Sequence, residues 1–192
     1  MINAAPLVSP AVVDPRELTV RKARMADIPA LLDLINDYAA RGIMLPRTEF
    51  ELSENIRDFT VLYCEDQLAA CGALHFYSPT SGEVRSLAVR PGSQHHGLGS
   101  RIVKALEAEA IQSGLQAIFA FTYVTEFFTK LGFHEVERGE LPLKVWKDCL
   151  RCRKFQCCDE VAVMKELVPC AVVQTSTERT SVLVQLPRLR DN

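Results

Sequence analysis

The sequence has no stretch approaching the ~20 consecutive apolar residues of a membrane-spanning helix, so nothing in it reads as a bilayer anchor. It has no excess of charge either: 22 basic residues face 24 acidic ones, a net −2, whereas a general nucleic-acid binder normally shows a strongly basic domain. The first 17 residues offer no basic n-region, and Pro6, Pro10 and Pro15 break up their short apolar runs, so no export signal is read there. The 7 cysteines cannot all pair within one chain. An odd count without an export signal points to a reducing compartment, and a cytoplasmic location is expected. No internal repeat is visible.

What is present suits one globular unit, because domains run roughly 100–200 residues and a chain of 192 buries its own core without staples. Residues 1–17 and 168–192 read as tails around a domain at 18–167, the first being rich in Pro and Ala and the second in Ser and Thr. Leu18 to Ala23 alternates as a strand does. Asp27 then opens a run with Ile28, Leu31, Leu32, Leu34, Ile35 and Tyr38 at helical spacing, with Gly42 as its stop. Thr48 and Glu51 form a capping-box pattern for a second helix ending near Arg57. Phe59–Glu65 and Gln67–Tyr77 suit a hairpin turning at Asp66, and Glu83–Val89 a third strand. Leu98, Ile102, Val103, Leu106 and Ala110 mark one face of a helix that Gly114 ends. A strand at Ala117–Thr122, a short helix at Thr125–Lys130 closed by Gly132, and a strand at Val161–Leu167 complete a mixed α/β layer architecture with a largely antiparallel first half.

The segment richest in chemical meaning is Gln94-His95-His96-Gly97-Leu98-Gly99-Ser100, between a strand and an amphipathic helix. A helix start presents unpaired N–H groups and the positive end of the macrodipole, and glycines let a polyanion approach the backbone. From Val84 to Leu106 the chain carries Arg85, Arg90, Arg101 and Lys104 and no acidic residue, a local +4 within a chain of net −2. No Gly-Lys-Ser/Thr follows, so this is not a P-loop, and a dinucleotide fingerprint would need a third glycine where Ile102 stands. Two glycines alone also suit an ordinary strand-to-helix connection. The positive segments lack interleaved aromatic residues, which leaves nucleic acid with little support as a partner.

Leu87-Ala88-Val89-Arg90-Pro91 followed by Gln94-His95-His96-Gly97-Leu98-Gly99 resembles the acetyl-CoA loop of the GNAT acetyltransferase superfamily, a strand followed by Gln/Arg-x-x-Gly-x-Gly/Ala and a helix. Phe127-Phe128-Thr129-Lys130-Leu131-Gly132-Phe133 resembles a second element of that superfamily. The likeness runs from about Leu18 to Leu167 and implies the GNAT fold, with a mixed central sheet and helices on both faces. It implies acetyl-CoA as cosubstrate, its pyrophosphate on the amides from His95 to Ser100 with Gln94 and Arg101 nearby, and its pantetheine arm along Leu87, Ala88 and Val89. The acetyl group would lie where two neighbouring strands splay apart, and the acceptor amine would attack the thioester directly. Glu83 resembles the glutamate that many members use to deprotonate the amine; a solvated charge at a strand end is the plain alternative. Where the family often places a tyrosine to protonate the leaving thiolate, this chain has Phe128, and Tyr123 is the nearest hydroxyl in sequence.

Arg41-Gly42-Ile43-Met44-Leu45-Pro46-Arg47-Thr48 resembles the Gly-x-Leu-Leu-Pro-Arg-Ser segment of short, single-domain N-acetylglutamate synthases, and Cys71-Gly72-Ala73-Leu74 and Glu83–Val89 fit the same group. The resemblance implies an acidic amino-acid acceptor, L-glutamate, in arginine biosynthesis, with no appended amino-acid-kinase domain expected. Guanidinium groups bind carboxylates bidentately, which makes Arg47 and Arg85 the substrate-binding candidates and Lys144 a third; a surface arginine after a proline turn is the alternative for Arg47. Another small amine as acceptor, or an acyl-CoA-binding module without catalysis, stays open. A homodimer is expected from the strand edges of such a fold. Cys149, Cys152, Cys157 and Cys158 include one C-x-x-C without the second one usual for structural zinc, so no metal is expected.

Overall fold

The computed structural model describes residues 18–141, 150, 154 and 157–167. Strand β1 (Leu18–Lys22) is followed by helices α1 (Ile28–Ala40) and α2 (Glu49–Asn55), and then by β2 (Phe59–Cys64), β3 (Gln67–Phe76) and β4 (Ser81–Val89). Helix α3 (Leu98–Gln112), strand β5 (Ala117–Thr122), helix α4 (Thr125–Thr129), the two-residue β6 (His134–Glu135) and β7 (Val161–Glu166) complete the order. The strands form one sheet in the order β1-β2-β3-β4-β5-β7-β6, in which β4 and β5 run parallel and every other neighbouring pair is antiparallel. Among the described residues no helix is long and apolar enough to cross a membrane.

Local chemistry accounts for most boundaries. Thr48 Oγ1 accepts from the Glu51 N–H at 3.2 Å while Glu51 Oε2 accepts from the Thr48 N–H at 2.9 Å, the reciprocal box that the spacing of the two residues predicts. Gly42, Gly114 and Gly132 follow α1, α3 and α4 at positive φ, the left-handed backbone that ends helices without Cβ strain. Sequence periodicity runs α2 on to Arg57, but the α-helix stops at Asn55 and Ile56–Asp58 tightens into a 3₁₀ turn. Strand β6 is additional to the predicted elements, because two exposed residues carry no periodicity to read.

Helices pack on both faces of the sheet. The apolar stripe of α3, Ile102, Val103 and Leu106, is fully buried against Leu62, Ala70, Leu74 and Val84 on one face. On the other, Leu31, Ile35 and Leu52 of α1 and α2 cover Val61, Cys71, Ala73 and Ala88. Gly72 lies beneath α3 with no room for a side chain: a Cβ there would stand 2.7 Å from Ile102 Cγ2. Ile102 is β-branched and fully buried, so it has nowhere to turn. Gly72→Ala is expected to lower stability by about 1–3 kcal/mol through overpacking, measured as a shift of the denaturant midpoint at unchanged slope.

Candidate active site

Two features of β4 shape the site. Its pairing with β5 covers only Ser81, Gly82 and Glu83, opposite Ala117, Ile118 and Phe119, so the strands part beyond Glu83. Its register against β3 shifts between Cys71 and Ala73, so that Ser86 and Leu87 both face Gly72, and Ser86 takes φ 51°. Such a bulge leaves backbone groups outside the ladder and bends the strand. The buried Cys71 thiol donates to the Ser86 carbonyl at 3.6 Å, and desolvation pushes its pKa up to about 12, so it stays a protonated donor.

Below the parting strands, α3 begins. Gly97 is its N-cap at φ 74° with no side-chain cap, and His95 is also left-handed at φ 66°. With only Arg101 N–H returning to Gly97 O, the amides of Leu98, Gly99 and Ser100 precede the first intrahelical bond and stand unpaired at the positive end of α3, a geometry that suits an anion. Gly99 is buried with Phe127 Cζ 3.3 Å and Val89 Cγ2 3.5 Å from where a Cβ would stand, so the first turn sits tight against the end of β4. The Leu98 side chain points into the core, and the Ala88 methyl is buried beneath α1, so both present only backbone to a ligand. His95, His96 and Arg101 are exposed.

Gln94 is held by a residue that the sequence marked only as core: its Nε2 donates to the Tyr38 hydroxyl at 2.7 Å, and that hydroxyl donates to Val89 O at 2.5 Å. Tyr38 therefore ties the loop and the end of β4 to α1. A hydroxyl on a core position of a helix needs a buried partner, which is the signal that could have marked it. Of the four basic residues between Val84 and Leu106, Arg90 is tied into the body through its Nε, which donates to Leu68 O at 2.8 Å, while Arg101 and Lys104 are exposed on α3. Arg85 lies elsewhere: cross-strand from Ala73, on the sheet face away from α3.

That face carries a polar group. Glu83 pairs in register with His75 of β3, His75 Nδ1 lies 2.6 Å from Asp58 Oδ2, and Arg85 Nη2 lies 3.8 Å from the same oxygen. Asp58 comes from the 3₁₀ turn after α2, and the Tyr77 ring meets the His75 ring edge-on at 5.0 Å. Glu83 and Arg85 thus stand together on one side of β4 beside the point of parting. Neither Asp58 nor His75 is apparent from the sequence, since one lies in a turn and the other near a strand end, and only sheet register joins them. Arg47 is half-buried ahead of α2, its peptide gripped at both ends by Asn36 of α1: its N–H donates to Asn36 Oδ1 and its C=O accepts from Asn36 Nδ2, both at 2.9 Å.

Phe128 is buried in edge-on contact with Phe127 and Phe133, a packing residue. Tyr123 is 40% exposed, and its hydroxyl accepts from Lys154 Nζ at 3.1 Å; desolvation still raises its pKa. Among the described residues no three His, Cys, Asp or Glu gather as ion ligands, and Cys157 and Cys158 are free thiols. Cys149, Cys152 and Lys144 lie outside the described residues.

A mixed sheet that parts between two parallel strands, with a bulge above a glycine-capped helix start, is the architecture of an acyl-CoA N-acyltransferase. The family model of the acetyltransferase (GNAT) family matches residues 28–133. An uncharacterized N-acetyltransferase of Chlorobaculum tepidum is 38% identical over 77% of this chain and 96% of its own length. An amino-acid acetyltransferase of Mycobacterium tuberculosis is 36% identical over 69% of this chain and 77% of its own. Among solved structures, the N-acetylglutamate synthase of Neisseria gonorrhoeae, complexed with coenzyme A and N-acetyl-glutamate, superposes with a TM-score of 0.72 at 28% identity. It covers 79% of this chain, which spans 35% of that longer protein. A Mycobacterium tuberculosis protein in complex with CoA follows at 0.68 and 31% identity, covering 78% of this chain and 99% of its own. The chain belongs to the GNAT acetyltransferase family.

Proposed function

We propose that this acetyltransferase moves the acetyl group of acetyl-CoA to the α-amino group of L-glutamate, as an N-acetylglutamate synthase in arginine biosynthesis. The observation that carries the reading is Glu83 and Arg85, a carboxylate and a guanidinium on one side of β4 at the parting of the strands. The likeness to the Neisseria gonorrhoeae synthase, bound to coenzyme A and N-acetyl-glutamate, supports the acceptor.

The residues act in sequence. The amides at the start of α3 and the exposed Arg101 hold the CoA pyrophosphate, and the freed edge of β4 from Leu87 to Val89 takes the pantetheine arm. Peptide N–H groups at the Ser86–Leu87 bulge polarise the thioester carbonyl. Glu83 removes a proton from the acceptor ammonium, and the amine attacks the carbonyl carbon directly. Nitrogen–carbon bond formation expels the CoA thiolate, which leaves without a tyrosine donor at Phe128. Arg47 and Arg85 hold the two acceptor carboxylates.

The Asp58 carboxylate near Arg85 favours a second reading, an amino acid with a neutral side chain, because it offsets part of the guanidinium charge. Acetyl-CoA turnover against the twenty amino acids, followed by CoA release, separates the two: glutamate is expected to give the strongest signal, and its failure to give any would overturn the acceptor. Arg47→Ala is expected to raise KM for glutamate by about 10- to 10²-fold, the loss of one charge-assisted bidentate contact, with KM for acetyl-CoA changed less than about 2-fold. Equal rises in both constants would remove Arg47 from the acceptor site.

A further inference from the structure

We propose that His75 is the proton exit of the acetyl-transfer site: held by Asp58 through Nδ1, it takes from Glu83, on Nε2, the proton that Glu83 removes from the acceptor ammonium, and releases it to water. The inference rests on the assignment of Glu83 as the base and extends it.

Three observations meet at this side chain. First, Asp58 Oδ2 at 2.6 Å engages Nδ1, the arrangement that places the ring proton there and leaves the Nε2 lone pair as an acceptor. Second, His75 and Glu83 are register partners on adjacent antiparallel strands, which sets their Cβ atoms roughly 4.5–5.5 Å apart on one face of the sheet. Glu83 is also the last β4 residue paired with β5, so the pair borders the opening. Third, the His75 side chain keeps 31% of its surface exposed, a path to water that a fully enclosed base would lack.

The surrounding charges are consistent with transfer in that direction. Asp58 comes from the turn after α2, Arg85 and Glu83 from β4, and Tyr77 from just past the end of β3, while Lys22 Nζ donates to the Asp58 carbonyl from β1. An imidazolium formed at His75 faces two carboxylates and one guanidinium, so its charge is met where it appears.

The proton count closes. An ammonium that becomes an amide gives up two protons: one ends on the CoA sulfur, and the other leaves through Glu83 and His75, after which both return to their starting forms. No oxidant or further reactant is needed. A histidine that only braced Asp58 would meet the same distances, so the test needs readouts that bracing does not move.

In the full chain, His75→Ala is expected to lower kcat by about 10- to 10²-fold with KM for acetyl-CoA within about 2-fold, and added imidazole to restore turnover in proportion to its free base. Asp58→Asn is expected to lower kcat by a smaller factor. With only 4 histidines, subtraction of the His75→Ala spectrum assigns the ring nitrogens of ¹⁵N-labelled protein, and His75 is expected to carry its proton on Nδ1 at neutral pH. A kcat changed less than 2-fold, a loss that imidazole does not restore, or a ring protonated on Nε2 would each overturn the proposal. If another amino acid replaces glutamate as acceptor, the kinetic arms run with that acceptor. Turnover with none would sink the acceptor and the base, and the proposal with them, whereas catalysis that survives Glu83→Gln unchanged removes the step feeding His75.

Discussion

Glu83→Gln is expected to lower kcat by about 10²- to 10³-fold at neutral pH, while the affinity for acetyl-CoA, measured by equilibrium binding, stays within about 2-fold. The substitution keeps the shape and the hydrogen-bonding reach of the side chain but removes the basic lone pair, so the acceptor must lose its proton to water. Gly97 and the amides of Leu98 to Ser100 at the start of α3 belong to another element and keep their geometry. The loss should shrink as pH rises, because more acceptor then arrives as the free amine. An unchanged rate at neutral pH would remove Glu83 from the mechanism. A loss of cofactor binding in the same proportion would mean that the strand itself had moved.

The largest stability effect is expected at Asp27. Asp27 is 4% exposed, and its carboxylate takes four donors: Arg21 Nη1 at 2.7 Å, Arg21 Nη2 at 2.8 Å, the Tyr63 hydroxyl at 2.9 Å and the Arg24 N–H at 2.7 Å. These bonds, Arg21 foremost, hold its pKa at about 2 against the desolvation that would raise it. They join β1, β2 and the entry to α1. Asp27→Ala leaves a guanidinium and a phenol without their acceptor and is expected to cost about 2–4 kcal/mol, a Tm fall of roughly 6–12 °C for a chain of this size. Because the folded pKa is depressed, the stabilising contribution is complete above the unfolded value of about 4 and is lost as pH falls from there towards about 2. Wild-type stability should therefore drop over that acid window by roughly 2 kcal/mol more than that of Asp27→Ala. Equal acid sensitivity would show that Asp27 is not the linked group.

Sequence periodicity located nearly every element because burial here follows simple rules. The α1 and α3 stripes repeat at helical spacing, and the capping box at Thr48 and Glu51 and the glycines at 42, 114 and 132 mark boundaries through local backbone chemistry. The helix start at Gly97 was legible for the same reason, since a left-handed glycine N-cap followed by unpaired amides is encoded in a few adjacent residues. Charge was less informative. The local +4 reads as one positive surface around that cradle, yet Arg85 lies on the other face of the sheet and Arg90 is bonded to β3 backbone, so Arg101 and Lys104 supply the exposed charge on α3. Alternation along a strand reverses the face at each step, and a count along the chain does not register that.

By itself the sequence determined the order of every strand and helix except β6, the glycine-capped start of α3 and the membership of the GNAT family, because each depends on residues close together in the chain. Only the tertiary structure decided what meets what: the parting of β4 from β5 after Glu83, the bulge at Ser86, and the Tyr38 hydroxyl bound to Val89 and Gln94. The joining of Asp58 to His75 and Arg85 belongs there too. The hydrogen bonds among them span 17 to 56 residues of chain and are set by strand register and helix packing, which no local pattern specifies.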